Sequence, residues 1–141
     1  MTKTTKIKLN NDIKEIPEIY DQVVKFCVEH DLPKYLWHDM SLVLDEAVAN
    51  AIRYGFANGK EGRIQIDLVN SEGETSVRVI DRGIKFDPLK LPDPDTDSRI
   101  EKRKVGGLGI FLMKKLADRV SYSYKYGTNV LTIKFDMKNK E

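Results

Sequence analysis

The chain has few of the residues on which several common chemistries depend. Its 141 residues include one cysteine and two histidines, and no Cys/His cluster has the spacing of a zinc site. Cys27 has no partner for an internal disulfide, and its apolar helical surroundings indicate a core residue in a reducing compartment. The 24 Lys and Arg residues nearly balance the 22 Asp and Glu residues, so no strong positive field favours nucleic acid.

Long apolar stretches are also missing. No run of about eighteen apolar residues is present that would cross a membrane, and the first ten residues lack the apolar region of a signal peptide. We therefore expect a single cytoplasmic domain over residues 1–141, long enough to bury a core, without a membrane or a nucleic acid as direct partner.

Three familiar nucleotide and hydrolase motifs are absent as well. The GGLG at residues 106–109 is not a Rossmann fingerprint, because no strand leads directly into it and no G-x-G-x-x-G follows. It is not a P-loop either, since GK[ST] is missing. A G-x-S-x-G nucleophile elbow does not occur.

A helix in the segment LDEAVANAIRYGF carries the first pattern that is present. At about 100° per residue, Leu44, Val48, Ala51 and Ile52 form one apolar stripe. Glu46 and Asn50 lie on another face and are four residues apart, so their side chains can converge on one ion or water. An ordinary solvated helix face is the alternative interpretation of this pair.

A strand that ends in Asp-Arg-Gly carries the second pattern. Residues 76–80 alternate in the manner of a strand, and Asp81 follows them. A carboxylate there can accept a hydrogen bond from an exocyclic amine such as that of adenine, and Gly83 lets the backbone approach a flat ring. A plain polar turn is the alternative.

A glycine cluster before a predicted helix over residues 110–118 is the third pattern. Gly106, Gly107 and Gly109 would let backbone amides approach phosphate oxygens at the positive end of the helix dipole. The preceding stretch, residues 86–105, has three prolines and no periodicity, which favours a functional lid. Its basic second half, which includes Lys104, adjoins the glycines; a solvated charge run remains the other interpretation.

The order of these motifs resembles the GHKL (Bergerat-fold) ATP-binding superfamily. Within it, LDEAVANAIRYGF, VIDRGIKFDP and GGLGIFLMKKLADRVSY are similar to the anti-sigma factor serine kinases, over residues 6–135. The resemblance implies that Asn50 ligates Mg²⁺, that Glu46 is the catalytic carboxylate, and that Asp81 binds the adenine amine. The ATP-binding residues that it implies are Asn50, Asp81, Gly83, Lys104, Gly106, Gly107, Leu108, Gly109 and Thr128.

Two positions leave this assignment open. Many relatives have a second glycine where this chain has Lys85, which puts contacts at that edge of the pocket in doubt. Asn129 is able to take the role given to Thr128.

The implied function is that of a serine protein kinase and anti-sigma factor. It would bind a sigma factor and use Mg-ATP to phosphorylate a serine of a small STAS-type anti-sigma factor antagonist, as a homodimer. The alternative is an ATP-binding adaptor without phosphotransfer, which would not need Glu46. A histidine kinase catalytic domain is disfavoured, because no upstream histidine helix is visible.

The fold that we expect is α+β: a two-layer sandwich of a mostly antiparallel mixed sheet with helices on one face. Strands are predicted at residues 6–9, 63–69, 76–80, 120–126 and 130–135, and a helix at 15–30. Asp31-Leu32-Pro33 is expected to end that helix. Trp37 is expected to be a packing anchor, with a partner surface as the alternative.

Overall fold

A computed structural model of the chain describes residues 2–91 and 107–136. Within these two ranges lie five strands and three α-helices, together with two short 3₁₀ turns (Ile13–Glu15 and Pro88–Lys90) and one π-helical segment (Ala51–Gly55). The strands are β1 (Lys3–Asn10), β2 (Arg63–Ser71), β3 (Glu74–Asp81), β4 (Arg119–Lys125) and β5 (Thr128–Asp136). The helices are α1 (Pro17–Glu29), α2 (Lys34–Asn50) and α3 (Gly107–Leu116).

The strands form one sheet in the order β1-β2-β3-β5-β4, and all four pairings are antiparallel. The predicted α+β sandwich is confirmed, but the expectation of a mixed sheet was wrong for the described strands. The crossover through α3 makes β4 run in the same direction as β3. The β4–β5 hairpin then places β5, not β4, beside β3, so the two parallel strands never pair.

Tight turns explain both hairpins. The β4–β5 turn has positive φ at Tyr126 (53°) and Gly127 (74°), as a two-residue turn with the right twist requires. Gly73, with φ of 76°, does the same between β2 and β3.

The end of α1 is fixed by hydrogen bonds of the Schellman type. Leu32 N donates to Cys27 O at 2.9 Å and Asp31 N to Val28 O at 3.3 Å, with Asp31 in the left-handed region at φ 54°. The indole Nε1 of Trp37 donates to Leu32 O at 3.0 Å. The predicted helix end is confirmed, and Trp37 anchors the turn between α1 and α2.

One face of the sheet and the inner faces of the helices form the core. Period-two alternation turns Ile7, Ile66, Val77 and Ile133 of the paired strands inward. Cys27 is fully buried, as predicted, and burial raises the pKa of its thiol to about 11. Among residues 2–91 and 107–136, no helix has both the length and the apolar character needed to span a bilayer.

The remaining differences from the sequence expectations lie at element ends. β1 is longer than the predicted 6–9, and α1 starts at Pro17 after a 3₁₀ turn capped by Asp12, whose Oδ1 accepts from Lys14 N at 2.9 Å. α3 begins three residues before the predicted 110 and ends at Leu116, because the chain must turn to enter β4 at Arg119.

Candidate functional site

A small, partly open cavity lies between the end of α2 and the end of the sheet where β3 stops and β5 starts. Both layers contribute to it, so the sandwich itself creates the site. Its lining combines apolar side chains with a few polar ones: Ala47, Asn50, Ala51, Gly55, Val79, Asp81, Phe86, Pro88, Tyr122, Asn129 and Leu131. A mostly apolar cavity with few convergent polar groups is typical of small-molecule sites.

Asn50 enters this cavity from the last residue of α2. It is 1% exposed, and its Nδ2 has no hydrogen-bond partner among residues 2–91 and 107–136. Its Oδ1 accepts from Nη1 of Arg53 at 3.2 Å. The π-helical turn that starts at Ala51 widens the backbone directly after Asn50, and such turns are frequent at functional sites. A buried amide without a partner costs about 1–3 kcal/mol, which a bound ligand would offset.

Asp81 faces Asn50 across the cavity and is held by its own turn. Its Oδ1 accepts from Gly83 N at 2.8 Å and from Asn129 Nδ2 at 3.0 Å. Burial raises the pKa of Asp81 above its usual value, and these two hydrogen bonds act in the opposite direction. No hydrogen bond to Oδ2 is formed within the described residues, so this oxygen is left for a ligand.

Asn129 joins the two sides of the cavity. Its Nδ2 also donates to Ile84 O at 3.1 Å, and its Oδ1 accepts from Phe86 N at 3.2 Å and from the Tyr122 hydroxyl. Each polar atom of Asn129 is therefore used to fix Asp81 and the segment that follows it.

Gly83 is required by a close approach between two loops. A Cβ built on Gly83 would lie 2.5 Å from the carbonyl oxygen of Gly55, while Ile84 N donates to that same oxygen at 2.7 Å. Glycine here brings the end of the π-helical segment against Asp-Arg-Gly. The contact that the structure shows is thus to the backbone, and a contact with a flat ring stays a prediction.

Glu46 meets the first turn of α3. A Cβ on Gly109 would lie 2.2 Å from Glu46 Oε2, so the carboxylate packs directly against the glycine backbone. Gly107 is the first residue of α3, whose N-terminal amides form the positive end of the helix dipole. The first and third sequence motifs are therefore brought together, with Glu46 beside the helix start.

Asp45 adds a second carboxylate next to Glu46. Burial, and then the charge of Glu46, raise the pKa of Asp45 to about 6. Because the folded-state pKa lies above the ordinary 3.8, ionised Asp45 destabilises the folded chain, and this cost grows as the pH rises from about 4 to about 6.

We expect Asp45→Asn to raise the free energy of unfolding at pH 7.5 by about 1 kcal/mol, after allowance for solvent screening. The gain should disappear below pH 4, where Asp45 is protonated in both states. Urea titrations at the two pH values measure it. Asp21→Asn on the exposed side of α1 is the control, and an equal gain there would contradict the burial argument.

Thr128 does not line the cavity. Inward positions of β5 are Asn129, Leu131 and Ile133, so alternation turns Thr128 to the outer face, where it borders a groove with Lys8 and Arg82. Asn129 occupies the inward position that the sequence analysis left as its second choice. The period-two pattern from Phe135 backwards was the signal that would have selected it.

Two aromatic contributions were not predicted. Tyr122 lines the cavity from β4, and Phe86 lines it after β3 while stacking on Tyr54 at a centroid distance of 4.6 Å. Lys85, the departure noted in the sequence, lies with its Nζ 5.5 Å from the ring centroid of Tyr124, outside the cavity lining.

Several predicted residues lie beyond the described part of the chain. Lys104 and Gly106 fall outside it, as do residues 92–105 of the proposed lid. Residues 86–91 of that segment are described: Pro88 is buried, and Asp87 Oδ1 accepts from Leu89 N at 2.9 Å. Leu108 is placed in α3 by its backbone alone.

Residues 9–135 match the family model described as "Histidine kinase-like ATPase domain". The chain belongs to this family. The match covers every element of the cavity, from α2 to β5, and so includes all three sequence motifs. In this ATPase domain, α2 and the β3–β5 pair border the same cavity, and Glu46 of α2, which contacts Gly109 of α3, adjoins the lining residue Ala47.

Named relatives are similar to this ATPase domain over about two thirds of its length. The "Serine-protein kinase RsbW" of Listeria monocytogenes serovar 1/2a is 30% identical over 101 residues, which are 69% of this chain and 64% of that protein. The "Serine/threonine-protein kinase BtrW" of Bordetella bronchiseptica is 29% identical over 94 residues, 67% of this chain and 66% of that protein.

Solved structures share the fold of this ATPase domain. The RsbU and RsbW domains of Rv1364c from Mycobacterium tuberculosis match with a TM-score of 0.68 and 18% identity, over 95% of this chain and 32% of that one. The Acinetobacter baumannii histidine kinase AdeS matches with a TM-score of 0.54 and 16% identity, over 94% of this chain and 68% of that one. At these identities the likeness concerns the fold.

Proposed function

We propose that this domain is an ATP-dependent serine protein kinase that acts as an anti-sigma factor. The observation that carries the proposal is the convergence of Asn50 and Asp81 on one cavity, with Glu46 against Gly109 at the start of α3. The names of the kinases RsbW and BtrW support it, as relatives that match about two thirds of their length.

Adenine would occupy the end of the cavity that Asp81 forms. The free Oδ2 of Asp81 would accept from the exocyclic amine, since Oδ1 is already used by Gly83 and Asn129. Val79, Leu131 and Phe86 would cover the flat faces of the base. The phosphates would then extend along Asn50 towards the N-terminus of α3, where backbone amides favour anions.

The residues present also fit a magnesium ion. Mg²⁺ prefers oxygen ligands, keeps several waters, and needs only one or two protein ligands besides phosphate oxygens. Asn50 supplies an amide buried in the cavity, and Oδ1 becomes available when the exposed Arg53 side chain turns away. When bound, the ion would neutralise charge on the phosphates.

Glu46 would act on the acceptor hydroxyl. In transfer, the serine Oγ–phosphorus bond forms while the bond from the γ-phosphorus to the β,γ-bridging oxygen breaks, and ADP leaves. A carboxylate beside the helix start can orient that hydroxyl and accept its proton. The proposed partners, by the resemblance described above, are a sigma factor and a STAS-type antagonist that carries the serine. We further place the activity in a cytoplasmic homodimer.

Calorimetric titration with Mg-ATP tests the nucleotide site. We expect wild-type protein to bind, and Asn50→Ala to lose most of the difference between affinities measured with Mg²⁺ and with EDTA. Asn58→Ala, on an exposed loop, is the matched control. Partners captured with and without Mg-ATP are then mapped for phosphoserine by mass spectrometry. Absence of ATP binding would refute the proposal, and binding with partner capture but no transfer would leave the adaptor function.

A further inference from the structure

The sheet has an open face opposite the helices. The outward positions alternate with the core positions, so this face presents Lys6 and Lys8 of β1, Arg78 of β3 and Lys134 of β5. Arg63 at the start of β2 and Arg82 directly after β3 extend the same face towards one end. Nothing in the proposed kinase site uses these residues.

Charge on this face is strongly unbalanced. The cations there are Lys6, Lys8, Arg63, Arg78, Arg82, Arg119, Lys125 and Lys134, and the anions are Asp67, Glu74 and Asp136. The excess is five positive charges on the face, against an excess of two for the whole chain. The positive charge of the domain is therefore concentrated on a surface that the helices leave uncovered.

Two acidic residues of this face already form ion pairs with cations other than Lys8, Arg63 and Arg82. Asp67 pairs with Arg78 at 3.7 Å, and Glu74 pairs with Arg119 at 3.0 Å and with Lys134 at 3.8 Å.

Lys8, Arg63 and Arg82 form no ion pair with a carboxylate in residues 2–91 or 107–136. The β2–β3 register ends with Ile64 opposite Asp81, so Arg63 and Arg82 are the next residues of the two segments, and both line the same groove. Like charges in such positions destabilise a sheet.

These three cations border an open groove. The rest of its lining is Ile64, Gln65, Ile80, Asp81 and Thr128. Both β2 and β3 are paired on each side within the sheet, so their backbone amides are used and none is left to cradle a lone phosphate. A broad groove with three cations and two isoleucines suits carboxylate side chains with apolar neighbours better than a single anion.

We propose that this basic groove, defined by Lys8, Arg63 and Arg82, binds a carboxylate-rich segment of a partner protein. Charge complementarity selects the occupant: an acidic segment would relieve the repulsion between the two arginines and would be attracted from a distance. A second copy of this chain, placed face to face, would set cations against cations instead. The three cations lie on the face of the sheet opposite the nucleotide cavity, and the groove shares one described lining residue, Asp81, with that cavity. Because none of the cations lines the cavity, this site is additional to the kinase site.

A labelled peptide of repeating Glu-Glu-Leu tests the groove by fluorescence anisotropy. We expect saturable binding at low salt, and a loss of about tenfold or more in affinity for Arg63→Glu/Arg82→Glu. Lys14→Glu/Lys25→Glu makes the same change in net charge on the exposed helical side and is the control, with a loss below about twofold. Equal losses in both variants would overturn the proposal, because binding would then follow net charge alone.

Three other measurements can also overturn it. The first two measure binding of mixed-sequence duplex DNA and of phosphatidylglycerol vesicles to wild type and to Arg63→Glu/Arg82→Glu. If this variant weakens the binding of DNA or vesicles more than it weakens the binding of the peptide, the groove belongs to another class of partner. The third is sedimentation of both proteins. If the wild type is a dimer and Arg63→Glu/Arg82→Glu is a monomer, the groove serves self-association.

The neutral variant Arg82→Gln provides a readout independent of any ligand. Its melting temperature should rise by about 1 to 3 °C at low salt, and the rise should vanish at about 0.5 M salt. An unchanged or lower melting temperature would show that repulsion between these cations does not destabilise the folded chain, which would contradict the proposal.

Discussion

Glu46→Gln is expected to lower phosphate transfer to the acceptor serine by about 100- to 10,000-fold while leaving ATP affinity within about threefold. The amide keeps the size of the carboxylate and its packing against Gly109, but it cannot accept the hydroxyl proton. Binding and chemistry should therefore separate cleanly. Calorimetry with Mg-ATP and transfer from γ-labelled ATP to the captured acceptor measure the two effects.

The control is Glu18→Gln on the exposed face of α1, which removes one carboxylate far from the cavity residues. It should transfer phosphate at the wild-type rate. Full activity of Glu46→Gln would eliminate this residue as the catalytic carboxylate, and Asp45, which adjoins it on α2, would be the next carboxylate to substitute.

The sandwich was predictable because its signals are local. Alternation in β2, β3 and β5, the helical stripe of α1 and the turn at Gly127 each fix one element without help from the rest of the chain. The pairing of β5 with β3 is a long-range contact that the alternation within each strand does not specify. The strand order, and with it the absence of a parallel pair among the described strands, therefore came only from the structure.

The sequence predicts those site residues whose type is unusual for their position in a helix or strand. Asn50 is a poor helix residue at the end of a helix with an apolar stripe, and its side chain is buried in the cavity. Asp81 sits at a strand end, where alternation decides which way it points. At these two positions the residue type and its place in the helix or strand are enough to predict a site residue.

The rest of the site depends on tertiary contacts that no spacing reveals. Gly83 is needed because Gly55, at the end of the π-helical segment, approaches it. Gly109 is needed because Glu46 of α2 packs against it. Phe86 reaches the cavity by stacking on Tyr54. Each of these pairs is far apart in sequence, so only the folded chain shows that one member requires the other.

Asp81→Asn is expected to reduce ATP affinity by about 100-fold. Gly83 N and Asn129 Nδ2 would still find an oxygen, so the new amide nitrogen would occupy the place of Oδ2 and present a donor to the donor amine of adenine. One lost hydrogen bond to a charged group and an unpaired buried amine together cost about 2–3 kcal/mol. The fold should persist, because the substitution removes a carboxylate whose burial already raises its pKa.

The same variant should bind inosine triphosphate better than wild type does, since hypoxanthine offers a carbonyl oxygen where adenine has its amine. A reversed ATP-to-ITP preference is a result that simple damage to the cavity cannot produce. Asp67→Asn, which changes another buried aspartate on the opposite face of the sheet, is the control and should keep the wild-type preference. If Asp81→Asn binds both nucleotides like the wild type, the base does not contact Asp81, and the orientation of ATP in this cavity must be assigned anew.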